Sequence, residues 1–196
     1  MNILIIAPTS REYRNMCNTV TSKSGLRHNY TIICSGIGKA GAAAATATAI
    51  AKAEKPYDMI AVIGFAAGSL GFQQGDVVCP SVTRYHDCDV PEGFIPELTD
   101  PFALAGNEDI TVFTGDSFIN DRSAAEIKNR FGVERAIYDM EITAVKIAAE
   151  QCGNIPVMAV KFISDVPEDG HTEHSYDAFA DAHSDFTPLL EKIEEK

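Results

Sequence analysis

The chain has 196 residues, enough for one domain with a sizeable core, and its 45% hydrophobic and 22% charged content is that of a soluble globular protein. Sixteen basic against 28 acidic side chains leave a net charge of −12, which repels phosphodiester backbones and argues against a nucleic-acid partner. Five scattered cysteines, Cys17, Cys34, Cys79, Cys88 and Cys152, show no CxxC or CxxH pairing, which argues against a disulfide frame or a zinc site and for reduced thiols.

The N-terminal run Ile3 to Ala7 is too short to span a membrane, and no basic region with a small-residue cleavage site accompanies it, so a cytoplasmic location without a membrane partner is expected. Instead, Asn2 to Ala7 reads as a strand buried on both faces. It exits through Pro8-Thr9-Ser10-Arg11-Glu12, and strand ends are where open α/β sheets place ligands. Position alone favours reading Glu12 as a first-turn acid that complements the dipole of a helix running toward Val20.

A second strand, Tyr30 to Cys34, leads through Ser35-Gly36-Ile37-Gly38-Lys39 into an Ala-rich helix ending at Ala53. Gly36-x-Gly38-x-x-Gly41 matches the dinucleotide fingerprint formally, but no acid closes the next strand, since Asp58 precedes it, and no cofactor is inferred. Met59 to Ile63 reads as a third buried strand, and Gly64 to Ser69 as a small-residue loop whose backbone lets a ligand approach closely. The sheet restarts at Gly75-Asp76-Val77-Val78, and Val82 to Val90 follows as a polar strand or edge segment. Alternation along it would point His86 and Asp87 to opposite faces, so His86, Asp87 and Asp89 read as hydrogen-bonded structural groups and no metal site is expected.

Pro91 to Asn107 is the longest irregular stretch, and its apolar Phe94, Ile95, Leu98 and Phe102 read as a lid or an interface. Beyond it come a strand from Ile110 to Phe113, a helix from Ser123 to Phe131, and Ala136 to Tyr138 leading into Asp139-Met140-Glu141 and a helix through Cys152. Ile155 to Ile163 is the last buried strand, and an acidic tail ends in a helix from about Asp185 to Glu195. No repeat or linker divides these elements, so residues 1–196 are expected to form a single α/β domain, a three-layer sandwich with a mixed, mainly parallel sheet between helices.

Six segments in this order carry a resemblance that spans nearly the whole chain: Ser35-Gly36-Ile37-Gly38-Lys39, Gly75-Asp76-Val77-Val78, Arg84-Tyr85-His86-Asp87-x-Asp89-Val90, Gly115-Asp116-Ser117-Phe118-Ile119, Asp139-Met140-Glu141 and Ile163-Ser164-Asp165-Val166. Together they resemble the nucleoside phosphorylase/hydrolase superfamily, most closely its methylthioadenosine/S-adenosylhomocysteine nucleosidase branch. The resemblance implies a nucleoside phosphorylase-like fold and hydrolysis of the bond between ribose and purine. It implies that Glu12 activates the attacking water and that Asp165, oriented from Ser164, protonates the leaving base. Met140 and Glu141 would hold the ribose, and Phe118 and Ile119 would cradle the purine. It also implies a homodimer in which an apolar loop of one subunit closes over the other's substrate.

The chemistry supports those roles independently, because an oxocarbenium-like transition state calls for a carboxylate near the ribose, a proton for the base and a positioned water. Some residues depart from the family pattern. Phe65 replaces a usual serine or threonine, Lys161 a common arginine and Asp139 a frequent glutamate, and the 91–107 segment is short. These departures leave the reaction class and bear on the substrate; Gly68-Ser69 is similar to the related futalosine hydrolases. A phosphorylase would need converging cations or hydroxyls, for which only Arg11, Lys39 and Arg84 are candidates, so hydrolysis is favoured. A non-catalytic nucleoside-binding relative would have lost the acids that Glu12, Glu141 and Asp165 retain.

Overall fold

The computed structural model describes residues 1–91, 100–170 and 173–196. Among them are nine strands: β1 (Asn2–Ala7), β2 (Asn29–Cys34), β3 (Met59–Gly68), β4 (Val77–Val78), β5 (Pro80–Tyr85), β6 (Phe102–Ala103), β7 (Glu108–Thr114), β8 (Ala136–Asp139) and β9 (Val157–Asp165). Six α-helices accompany them: α1 (Ser10–Ser22), α2 (Lys39–Lys52), α3 (Asp121–Phe131), α4 (Ile142–Gln151), α5 (Glu173–Ala182) and α6 (Thr187–Glu194). The strands form one mixed sheet with helices on both faces, the three-layer α/β sandwich expected from the sequence. Among the described residues no helix is long and apolar enough to cross a membrane.

Burial on both faces explains the unbroken apolar strands. β1 lies between β2 and β3, parallel to each, and Ile3 through Ala7 are all inaccessible. One face of the sheet packs Leu4, Ile60, Val62, Ala159 and Ile163 against α2 and α4, whose small Ala42 and Ala149 allow close approach. The other face packs Ile3, Ile5, Ile63 and Phe162 against Met16 of α1, Phe179 of α5 and Leu189, Leu190 and Ile193 of α6.

β3 organises the crevice. Along one edge it pairs with β1 from Ile3↔Met59 to Ile6↔Val62, and further on the same edge it pairs antiparallel with β8 at Ala67↔Tyr138 and Gly68↔Ile137. Its other edge is filled by β9, parallel from Ile60↔Val157 onward. Because β8 runs opposite to β1, the C-terminal ends of the two strands face each other across the unpaired stretch of β3. The sheet changes direction at this gap, and open sheets bind ligands at such points.

The structure corrects three local expectations and leaves a fourth mostly outside the described residues. Gly64 to Gly68 is no loop: β9 pairs with one of its edges as far as Ala67↔Asp165, and the other edge is left open between β1 and β8. The glycine at 64 serves close approach within a strand, since a Cβ there would lie 2.0 Å from Glu12 Oε1. His86 and Asp87 lie beyond the end of β5, so strand alternation does not govern them. The stretch read as an acidic tail contains α5, whose Tyr176, Phe179 and Ala180 recur at helical spacing and pack inward. Of the expected lid, Phe94, Ile95 and Leu98 lie outside the described residues, while Phe102 belongs to β6, which pairs with β5 through Thr83↔Phe102.

Candidate active site

Glu12 sits in the first turn of α1 and also lines the crevice, so its place in the helix does not keep it from facing a ligand. It is the third residue of α1, and Thr9 caps that helix: the Glu12 N–H donates to Thr9 Oγ1 (3.2 Å), and the Thr9 N–H donates back to Glu12 Oε2 (2.8 Å). The Thr9 hydroxyl also donates to Oε2 (2.6 Å), and the Phe65 N–H donates to Oε1 (3.0 Å). This buried carboxylate lines the crevice with its orientation fixed by three donors, leaving about one of its four acceptor sites for a water or a substrate hydroxyl.

Glu141 enters from the opposite side, at the junction of β8 and α4. Its Oε1 accepts from the Gly38 N–H at the start of α2 (2.9 Å). Burial, then the neighbouring Asp139 charge, push the Glu141 carboxyl up to about 7, while Lys161 and the Gly38 N–H act in the other direction. Asp139 serves the local fold: its Oδ2 accepts from the N–H groups of Glu141 (3.2 Å) and Ile142 (3.0 Å), and its Oδ1 accepts from the Thr114 hydroxyl (2.6 Å). Beneath it, the inaccessible Lys161 Nζ lies 3.7 Å from Asp139 Oδ2 and donates to the Ile63 carbonyl (3.4 Å).

Asp165 closes the third side. A β-bulge places one extra residue in β9, between the pairs Ala66↔Ile163 and Ala67↔Asp165, and so re-aims the end of the strand. The extra residue, Ser164, donates its hydroxyl to Asp165 Oδ1 (2.6 Å) and to the Ala66 carbonyl (3.2 Å). Its own carbonyl accepts from the Gln74 side-chain amide (2.6 Å).

Between these acids lies a cleft of about 690 Å³, mouth included. Besides Glu12, Glu141, Ser164 and Asp165, its walls include Phe118, Ile119 and Met140, so every residue assigned from sequence borders the same space. Sequence reasoning missed Tyr176, whose ring stands edge-on to Phe118 (5.7 Å between centroids) and to Phe65 (6.1 Å). Its signal was the spacing of aromatics along α5. The side chain of Phe65 joins an aromatic cluster with Phe162, Phe179 and Phe186, where a serine or threonine would leave a void.

Among the described residues no lysine or arginine lines the cleft. Arg11 pairs with Asp181 (3.1 Å), Lys39 with Asp87 (2.7 Å), and the Arg84 guanidinium lies over the Phe131 ring (4.2 Å). No group of three potential metal ligands occurs among the described residues, and the Asp87 carboxylate is held by Lys39 and the Asp116 N–H.

The mixed sheet flanked by helices has the fold of solved nucleosidases of the nucleoside phosphorylase-like class. Residues 108–193 match the model of the Phosphorylase superfamily. The 5′-methylthioadenosine/S-adenosylhomocysteine nucleosidase of Haemophilus influenzae (strain PittEE) is 33% identical over 177 residues, covering 76% of this chain and 72% of that one. The Bacillus subtilis (strain 168) nucleosidase of the same name is 32% identical over 192 residues, covering 83% and 79%. The S-adenosylhomocysteine nucleosidase of Streptococcus pyogenes, solved in complex with 5-methylthiotubericidin, superposes with a TM-score of 0.80 at 22% identity, covering 97% and 94%. The chain belongs to the 5′-methylthioadenosine/S-adenosylhomocysteine nucleosidase family.

Proposed function

We propose that this chain hydrolyses the N-glycosidic bond of 5′-methylthioadenosine and S-adenosylhomocysteine, releasing adenine. The observation that carries this reading is the gathering of Glu12, Glu141 and Asp165 around one cleft that no lysine or arginine lines among the described residues. Asp165 protonates the departing base at N7, its carboxyl oriented by the Ser164 hydroxyl, which donates to Oδ1. Glu12 accepts a proton from the attacking water, and Glu141 accepts from the ribose hydroxyls as positive charge develops on the sugar. Phe118 stacks on the purine, Ile119 and Met140 pack against base and ribose, and Tyr176 completes the wall. The absence of lining cations in the described cleft favours water over phosphate as nucleophile.

Incubation with 5′-methylthioadenosine, with and without phosphate, tests the reading. Adenine and the free thioribose should appear at the same rate in both. Product appearing as a ribose 1-phosphate, and only with phosphate, would make the chain a phosphorylase.

We further propose that residues 1–196 act as one domain in the cytoplasm, where the five unpaired cysteines stay reduced, and that the protein is a homodimer. Ile37 (63% exposed) and Phe118 (47% exposed) leave apolar surface at the mouth of the cleft, and a partner subunit would cover it. Light scattering at micromolar concentration should give twice the chain mass; a monomeric mass rejects the dimer.

A further inference from the structure

Three charged side chains just outside the cleft connect its two halves. Lys39 opens α2, Asp87 follows β5, and Asp116 follows β7. Lys39 Nζ donates to both oxygens of Asp87 (2.9 and 2.7 Å) and lies 3.4 Å from Asp116 Oδ2. Asp116 Oδ1 accepts from the Lys39 N–H (2.9 Å), and the Asp116 N–H donates to Asp87 Oδ2 (2.9 Å). None of the three lines the cleft.

Two consecutive amides at the start of α2 are engaged in this way. The Gly38 N–H holds the carboxylate of Glu141, and the next amide, that of Lys39, holds the carboxylate of Asp116. Asp116 lies two residues before Phe118 and three before Ile119. One helix terminus therefore fixes the ribose side of the cleft relative to the base side. The fit is close: Gly38 has φ +91°, and a Cβ there would come within 3.1 Å of Asp116 Oδ1.

We propose that Lys39, Asp87 and Asp116 are positioning residues that lock the ribose-holding Glu141 to the base-holding Phe118–Ile119 segment. The proposal rests on the reading of the cleft given above. Half-exposed ion pairs add little to stability, with Lys39 27%, Asp87 25% and Asp116 51% accessible. The contribution of this network is geometric, because contacts to a reacting sugar tolerate little displacement. Burial opposes the charge on Lys39, but Asp87 and then Asp116 hold its ammonium above the ordinary lysine value. Burial likewise opposes the charge on Asp87, but Lys39 and then the Asp116 N–H hold its carboxyl below the ordinary range. The Lys39–Asp87 pair therefore stays charged around neutral pH.

The test uses the full chain and 5′-methylthioadenosine. Lys39→Met and Asp87→Asn should each lower kcat/KM about tenfold, mainly through KM, with Tm within about 2 °C of the parent. Lys39→Arg, which can still bridge Asp87, should recover activity to within about threefold of the parent. The double variant Lys39→Met/Asp87→Asn should be no worse than either single one, since both break the same connection. Single variants that fold and keep kcat/KM within about twofold, or losses that multiply in the double variant, overturn the proposal. Should Lys39→Met fail to fold, Asp87→Asn and Lys39→Arg decide alone by the same criteria. A parent protein that leaves the nucleoside intact would instead refute the functional reading, which is a separate outcome.

Discussion

Asp165→Asn is expected to lower kcat for adenine release by roughly 10²–10⁴-fold, the usual worth of a general acid, while 5′-methylthioadenosine binds within about threefold of the parent affinity. The asparagine keeps the shape of the side chain, and its carbonyl still accepts the hydroxyl of Ser164, which reaches Asp165 Oδ1 at 2.6 Å. The bulge in β9 should survive, because it is held by Ser164 to Ala66 and by Gln74 to Ser164. What disappears is the transferable proton, so adenine would have to leave as an anion. Steady-state kinetics with calorimetric binding separates the two quantities. A kcat within tenfold of the parent would remove Asp165 from the mechanism.

How far the sequence spoke depended on whether a feature is local or made by neighbours. β1 was legible because an apolar run such as Ile3 to Ala7 fits only a strand covered on both faces. Gly64 to Gly68 was misread because glycine marks a turn and a close approach alike; only the position of Glu12 against Gly64 tells them apart. Asp139 and Lys161 lie 22 positions apart, and no periodicity announces their buried contact. The motif contexts pointed to Glu12, Glu141 and Asp165, and the three line one cleft. The partners that orient them were not legible: Thr9, the Gly38 amide and Gln74 reach across elements through backbone geometry. α5 was overlooked because the exposed Asp177 and Asp181 alternate with Tyr176, Phe179 and Ala180 and break up their helical spacing.

Glu141→Gln is expected to lower kcat/KM by roughly 10²–10³-fold, the scale of losing one preorganised electrostatic contact in a dry site, and to stabilise the free protein above neutral pH. The folded Glu141 carboxyl is pushed up to about 7 by burial and by Asp139, whereas in the unfolded chain it titrates in the ordinary carboxylate range. The folded state therefore binds the extra proton more tightly. The resulting stability is fully present below the unfolded value and is lost as pH rises through about 7. Glutamine does not titrate and still offers an oxygen to the Gly38 N–H, so the two proteins should melt alike near pH 4, below the unfolded carboxylate value. By pH 8 the variant should be more stable, by an amount on the order of 3 kcal/mol. Titrations shared by both proteins cancel in this difference. The mechanistic consequence is that a carboxylate held at a cost in the empty cleft recovers that cost when positive charge develops on the ribose, which is selective stabilisation of the transition state. Paired thermal melts from pH 4 to 8 decide it: a Tm difference that stays flat, or that favours the parent at high pH, would show that Glu141 carries no such strain.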